Sequence, residues 1–229
     1  MTESQAAGNH RLLDGAVVVL AGCVLVVTGL LVRREFTRSP SVSDRGFEIT
    51  KVGNWRRYTS GDTLAAGDGT ITLVEFSDFQ CPYCRDLYEQ LTVLSARYPG
   101  RTTWLYRHYP IETIHPLAFT ASLASECAAE QGRFSSFHDL VFRLQDSIGV
   151  LPWDTLALRA GVRDVGAWKS CLAESRYSDR VRADMAAGKD LGVRGTPTLL
   201  LNARRLPGTP PPGVLDSIIR VDLQREARH

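Results

Sequence analysis

Residues 77–87 read SDFQCPYCRDL, two cysteines three apart with a proline and a tyrosine between them. The spacing alone serves a metal grip, a haem attachment, a structural bridge or a redox pair, so the flanks must decide. Upstream, residues 70–76 (TITLVEF) are β-branched and aromatic behind Gly69, the pattern of a strand. Downstream, Leu87, Leu91 and Leu94 recur along one face before Pro99-Gly100. That is the pattern of a helix starting near Cys84, with Pro82 in its permitted first turn. A cysteine between strand and helix sits at a helix N-terminus, where free amides and the dipole favour a thiolate. Cys81 is therefore the expected nucleophile. Cys84, one turn further in, is the expected resolving thiol.

Two further features fit redox chemistry. Glu75 lies six residues before Cys81 on an otherwise apolar strand, placed to exchange a proton with the resolving thiol; the plainer alternative is a solvated acid on an edge strand. Thr196-Pro197, after Gly195 and before residues 198–202 (TLLLN), is a proline at the start of a strand and a candidate cis peptide. Opposite a dithiol, such a turn presents the backbone of Thr196 to an extended substrate strand.

Residues 101–107 (RTTWLYR) read as a second strand, and 113–191 as a helical block. Within that block, Leu117, Ala121, Ala124 and Ala128 mark one helix; Phe134, Phe137, Val141 and Leu144 a second. Val165, Trp168 and Leu172 mark a third, and Val181, Met185 and Lys189 a fourth. Arg204-Arg205-Leu206 begins a hairpin partner to 198–202, and Leu215, Ile218, Ile219 and Leu223 a closing amphipathic helix. The order is strand, helix, strand, helical block, strand, strand, helix. That is an α/β domain over 53–229, interrupted at about 113–191.

The chain has 229 residues, 44% hydrophobic and 23% charged, ordinary values for a globular protein. Five cysteines are too few to build the fold from disulfides. A net charge of +2 with scattered arginines gives no footprint for nucleic acid. Residues 15–32 (GAVVVLAGCVLVVTGLLV) carry no charge and read as a transmembrane helix, after a 1–14 tail and before a charged, serine-bearing linker over 33–52. Leu20-Ala21-Gly22-Cys23 is similar to a lipobox, but the apolar run continues past Cys23, which favours the membrane helix. Arg33, Arg34, Arg38 and Arg45 follow it, and the positive-inside rule would keep the domain in the cytoplasm.

Glu75, Cys81-Pro82-Tyr83-Cys84 and Gly195-Thr196-Pro197-Thr198, in this order, resemble the DsbA-like thiol–disulfide oxidoreductases, in the thioredoxin-4 or BdbD-like branch. VEFSDFQCPYC, Arg107-His108-Tyr109-Pro110, HPLAFTASLASECAAEQGRF, FHDLVF and GVRGTPTLLLNARRL add to the resemblance, which spans about 53–229. It implies a thioredoxin fold with an inserted helical domain. It also implies catalytic roles for Cys81, Cys84 and Glu75, and substrate contacts at Pro82, Tyr83, Thr196 and Pro197. The implied function is oxidation of reduced or unfolded exported proteins outside the cytoplasmic membrane; the single apolar run over 15–32 makes the expected protein single-pass, and no dimerisation stalk like those of dedicated isomerases is evident, which favours a monomer. Reoxidation would fall to a membrane partner resembling DsbB or vitamin K epoxide reductase. An oxidising compartment then outweighs the arginine rule for orientation.

Strongly oxidising members often carry histidine where this chain has Tyr83, and Thr196 before the proline is as similar to isomerases as to oxidases, so an exported reductase or isomerase is one alternative; a non-catalytic binding or metal-carrying module that retains the fold is another, of a different class. Extra disulfides in some family members make Cys127–Cys171 a candidate bridge, set against two small buried thiols. A zinc site from Cys81, Cys84, His108 and His115 fits structural zinc spacing poorly, so neither metal nor cofactor is expected. His138 reads as a helix-surface residue and His229 as a tail residue.

Overall fold

The run at 70–76 becomes the centre of a mixed sheet in the computed structural model, which describes residues 48–228. Its strands are β1 (Thr50–Lys51), β2 (Asp62–Ala65), β3 (Ile71–Ser77), β4 (Thr102–His108), β5 (Thr198–Leu201) and β6 (Arg204–Pro207), in the spatial order β1-β6-β5-β3-β4-β2. β3 runs parallel to β4 and antiparallel to β5, and all seven of its residues are buried. A strand covered on both faces needs a largely apolar run, which ITLVEFS supplies with Thr72, Ser77 and Glu75 as its polar members, Glu75 alone being ionisable.

Seven α-helices are present among the described residues: α1 (Pro82–Arg97), α2 (Ala118–Ala129), α3 (Phe134–Arg143), α4 (Trp153–Arg159), α5 (Val165–Ala173), α6 (Ser178–Leu191) and α7 (Val214–Glu226). On one face of the sheet, Leu73, Trp104, Tyr106 and Leu199 pack in a core shared with α1, with α2 to α5 and with α7. Leu87 and Leu91 of α1 are fully buried in it, each contributing about 2 kcal/mol of transfer free energy. On the other face, Val74, Phe76, Leu105 and Leu200 meet Leu191 and Val193 around the end of α6. Gly192 stops α6 in the left-handed region at φ 80°.

The structure corrects several expectations. α1 starts at Pro82, two residues before Cys84, because Cys81 occupies the N-cap. The helical block holds five helices rather than four. α4, entered through Pro152 with Asp154 in its first turn, is only seven residues long and shows just Leu156 and Ala157 buried, too little to register as a period. Lys189 lies exposed on α6 while Asp184 and Gly188 take its buried face. Two short edge strands stand outside the expected elements. β1 falls inside the expected 33–52 linker and pairs with β6 through Thr50 and Arg205, and β2 pairs with β4 around a register shift between Thr63 and Ala65. Two-residue and bulged edges carry no alternation to read. No helix among the described residues is long and apolar enough to cross a membrane. The expected 15–32 span, the 1–14 tail, Cys23, most of the linker and His229 lie outside those residues.

Candidate active site

Strand β3 ends at Ser77 and hands the chain to a loop that Asp78 organises. This carboxylate is fully buried. It accepts from the Gln80 amide at 2.8 Å and the Ile111 amide at 2.8 Å, and it lies 2.8 Å from His115 Nδ1. Gln80 in turn accepts from the Leu117 amide at 2.6 Å, and Gln145 Nε2 donates to the carbonyls of Phe79 and Cys81, both at 2.9 Å. The loops around 111–117 and 144–151 are thereby fastened to the two-cysteine turn. No expectation assigned Asp78, Gln80 or Gln145. Asp78 stood inside the opening motif as an Asx-turn former, whereas Gln145 gave no sequence signal.

Cys81 and Cys84 are both free thiols in this structure. Cys81 is the N-cap of α1, and its sulfur donates to the Thr196 carbonyl at 3.2 Å. The Thr196-Pro197 peptide bond is cis. A hydrogen bond from Cys84 is the largest influence on Cys81, drawing its pKa down from 9.0 to about 6 against burial, with help from the Thr196 side chain and the amides of Tyr83 and Cys84. Cys84 is fully buried, and that burial pushes its thiol well above the ordinary value. The two sulfurs are thus poised oppositely.

Glu75 lies beside them on a central strand, not an edge, with no exposed surface. The Trp104 indole N–H donates to its Oε2 at 3.1 Å. Burial raises its pKa from 4.5 to about 7, opposed by Ser77 and Trp104 and reinforced by the charge of Cys81. A carboxyl near neutrality beside a buried thiol can give or take a proton at physiological pH.

Tyr83 is 63% exposed at the rim. It opens onto a groove of about 740 Å³ between α1 and the proline loop 209–213, lined by Tyr83, Gln90, Val93, Pro210 and Pro211. The loop is pinned by Thr209 Oγ1 donating to the Tyr83 carbonyl at 2.6 Å and Gln90 Nε2 donating to the Pro210 carbonyl at 3.1 Å.

The remaining sequence candidates lie elsewhere. His115 is engaged with Asp78, and His108 Nε2 lies 3.0 Å from Glu126 Oε1, so neither turns to the thiols. Glu126 also meets Arg180 at 2.8 Å, and the same guanidinium reaches Asp62 at 2.7 Å, so an internal cation sits in this acidic cluster. His138 is not on the helix surface. It is fully buried among Phe79, Tyr88, Trp104, Tyr106 and Phe142, its pKa lowered by that burial. The outward face of α3 is instead the one that Ser136 and Arg143 share. Cys127 on α2 and Cys171 on α5 are joined by a disulfide.

The family model Thioredoxin-4, described as thioredoxin, matches residues 61–220, and the chain belongs to this thioredoxin family. Among solved structures, BdbD of Bacillus subtilis in its oxidised form aligns with a TM-score of 0.64 at 17% identity, covering 77% of this chain and 99% of that one. A thioredoxin-like oxidoreductase from Silicibacter pomeroyi DSS-3 aligns at 0.55 and 22% identity, covering 84% and 99%. At these identities the likeness concerns the fold. Among curated relatives, the Na(+)/H(+) antiporter NhaA 3 of Salinispora tropica is 35% identical over 138 residues, 60% of this chain. The match takes up 21% of that relative's length, so the chain spans about a fifth of it.

Proposed function

We propose that the chain is a thiol–disulfide oxidoreductase of the DsbA- and BdbD-like branch. In this reading residues 15–32 anchor it, the thioredoxin domain lies outside the cytoplasmic membrane, and a Cys81–Cys84 disulfide passes to reduced exported proteins. The observation that carries the reading is the arrangement of the pair: Cys81 at the N-cap of α1 with its sulfur 3.2 Å from the Thr196 carbonyl, and Cys84 one turn further in and fully buried, an asymmetry that favours the thiolate at Cys81 and the thiol at Cys84. A substrate thiolate attacks Cys81 Sγ, the Cys81–Cys84 bond breaks, and its electron pair leaves on Cys84, which is then protonated. A second substrate thiolate attacks the substrate sulfur of the mixed disulfide, and Cys81 departs as the stabilised thiolate. The substrate loses two electrons and the enzyme pair gains them. A membrane partner resembling DsbB or vitamin K epoxide reductase would remove them again.

Three features support the substrate and the compartment. The Thr196 backbone beside Cys81 suits pairing with an extended strand. Exposed Tyr83, Val93, Ile114 and Val150, on α1 and on loops tied to the motif, offer apolar contacts suited to unfolded chains. The Cys127–Cys171 bridge suits an oxidising compartment.

The test is the equilibrium of Cys81/Cys84 with glutathione, together with a Cys84→Ser trap. A potential of about −120 to −180 mV and mixed disulfides through Cys81 are expected. A value near about −270 mV would make the protein a reductase. A trap that captures nothing would make it a binding module.

A further inference from the structure

Behind the dithiol, Glu75 Oε1, Ser77 Oγ and Tyr106 OH are buried without a hydrogen-bond partner, as are His108 Nδ1 and His138 Nε2 of the two imidazoles packed against Tyr106. The parallel register of β3 and β4 sets Glu75 opposite Tyr106 and Ser77 opposite His108. Side chains two apart share a sheet face, so all four point to the side that carries α1 and the cysteines. Glu75, Ser77, Tyr106 and Cys84 are each fully buried. The Ser77 hydroxyl is near enough to Glu75, Cys84 and Tyr106 to lower the pKa of each, and a turn of its side chain, which no hydrogen bond holds, is what would bring it into contact with them. Glu75 Oε2 is taken by the Trp104 indole, which leaves Oε1 as the oxygen free to carry the acid's proton.

We infer that Ser77 is a proton relay between Glu75 and Cys84, with the Tyr106 hydroxyl orienting it. The inference rests on the redox function proposed above. When a substrate thiolate opens the Cys81–Cys84 disulfide, Cys84 leaves as a thiolate in a site without water contact. Ser77 gives its hydroxyl proton to Cys84 Sγ and takes one from Glu75 Oε1. The net result is one proton moved, with Glu75 left as a carboxylate, Cys84 as a thiol and Ser77 unchanged. When Cys84 instead attacks a mixed disulfide, the same proton runs back. A hydroxyl suits the task because it accepts and donates at one atom.

The other titratable groups around this space are Cys81 and the buried Asp78 of the two-cysteine turn, His108 on β4 and His138 on α3; β5 contributes the apolar Leu199. Asp78 is held by Gln80, Ile111 and His115, and His108 by Glu126, while burial of His138 favours its neutral form. Glu75, which titrates at about 7, is the group whose ionisation the resolving step should follow.

The experiment follows resolution of a Cys81 mixed disulfide with a small-molecule thiol by Cys84, in the full-length protein between pH 5 and 10. Ser77→Ala is expected to slow resolution about 10- to 100-fold at pH 7, as loss of general acid–base assistance does. It should also remove the inflection near the Glu75 pKa and leave the alkylation profile of Cys81 unchanged. Ser77→Thr, which restores a hydroxyl, should recover most of the rate. An unchanged rate and pH profile in Ser77→Ala, or a loss that threonine does not recover, would overturn the relay. If Ser77→Ala does not fold, Tyr106→Phe reads the same step: a slowing of about threefold or more is expected, and a wild-type rate overturns it. Failure of the redox reading looks different, because the wild-type protein would then resolve no mixed disulfide at all.

Discussion

The sulfur of Cys81 lies 3.2 Å from the carbonyl oxygen of Thr196, although 115 residues separate the two in sequence. The contact puts the nucleophile against the backbone that a substrate strand would pair with, and the Thr196 side chain against the thiolate. The Cys81 pKa in the folded, reduced protein is lowered from 9.0 to about 6. Its contribution to stability is therefore present above pH 9 and lost as pH falls through 6. Alkylation of Cys81 by iodoacetamide should rise with pH around a midpoint near 6. Thr196→Val should move that midpoint up by about one unit, the scale of one hydrogen bond to a charged group. A rate that stays low until pH 9 in the wild type would remove the basis for a poised nucleophile.

Glu75 makes the opposite contribution. Its folded pKa of about 7 stands above the ordinary 4.5, so its stabilising effect is complete below pH 4.5 and is lost as pH rises through 7. Above that it is a buried carboxylate held by one indole N–H, at a cost of about 3 kcal/mol for a shift of this size. Glu75→Gln should leave urea unfolding of the reduced protein nearly unchanged at pH 4.5 and raise its stability at pH 8.5 by up to that amount. Equal effects at both values would mean that Glu75 is not titrating between them.

Much of this site was legible because chemistry and punctuation coincide in short stretches. Cys81, Pro82 and Cys84 fall at a strand–helix junction, and an acid inside TITLVEF is conspicuous because burial disfavours it. Thr196-Pro197 announces itself as a proline that opens a strand. What the sequence concealed depends on contacts made at long range. Gln145 reaches the Cys81 carbonyl across 64 residues, and no local pattern marks one glutamine among others. His138 looks like a surface residue until Phe79, Tyr88 and Tyr106 close around it. The edge strands β1 and β2 exist through their partners' ladders rather than through any periodicity of their own.

Helix α6 is fixed to the sheet by a buried ion pair. Arg107 donates to Asp184 Oδ1 at 2.8 Å through Nε, and its Nη2 lies 2.7 Å from the same oxygen. Asp184 Oδ2 accepts from the His108 amide at 3.0 Å, and Arg107 Nη1 donates to the Tyr58 carbonyl at 3.3 Å. Both side chains are less than a tenth exposed. Asp184→Ala would strand a guanidinium and an amide in the interior, and should lower the unfolding free energy by about 3–5 kcal/mol. Asp184→Asn, which keeps one side-chain oxygen as an acceptor but turns an NH2 towards the other donor, should cost less. Chemical denaturation of the two variants checks the order, and equal small losses would show that the pair does not hold the helix.

The Cys127–Cys171 bond joins α2 to α5 across a sequence separation of 44, inside the helical block. Closing a loop of that length restricts the unfolded chain by about 4 kcal/mol in the chain-entropy model, and removal of native bridges falls in the range of about 2–5 kcal/mol. Both residues are fully buried, whereas Cys81 sits at the head of α1 with a sulfur poised as a thiolate. Mild reductant followed by alkylation of the native protein should therefore label Cys81 and leave Cys127 and Cys171 unlabelled until the chain is unfolded. The double variant Cys127→Ala/Cys171→Ala should unfold at lower urea concentration while its Cys81 alkylation midpoint stays near 6. If native Cys127 labels as fast as Cys81, the bridge is an exchangeable redox couple, and the helical block must be held by its apolar contacts alone.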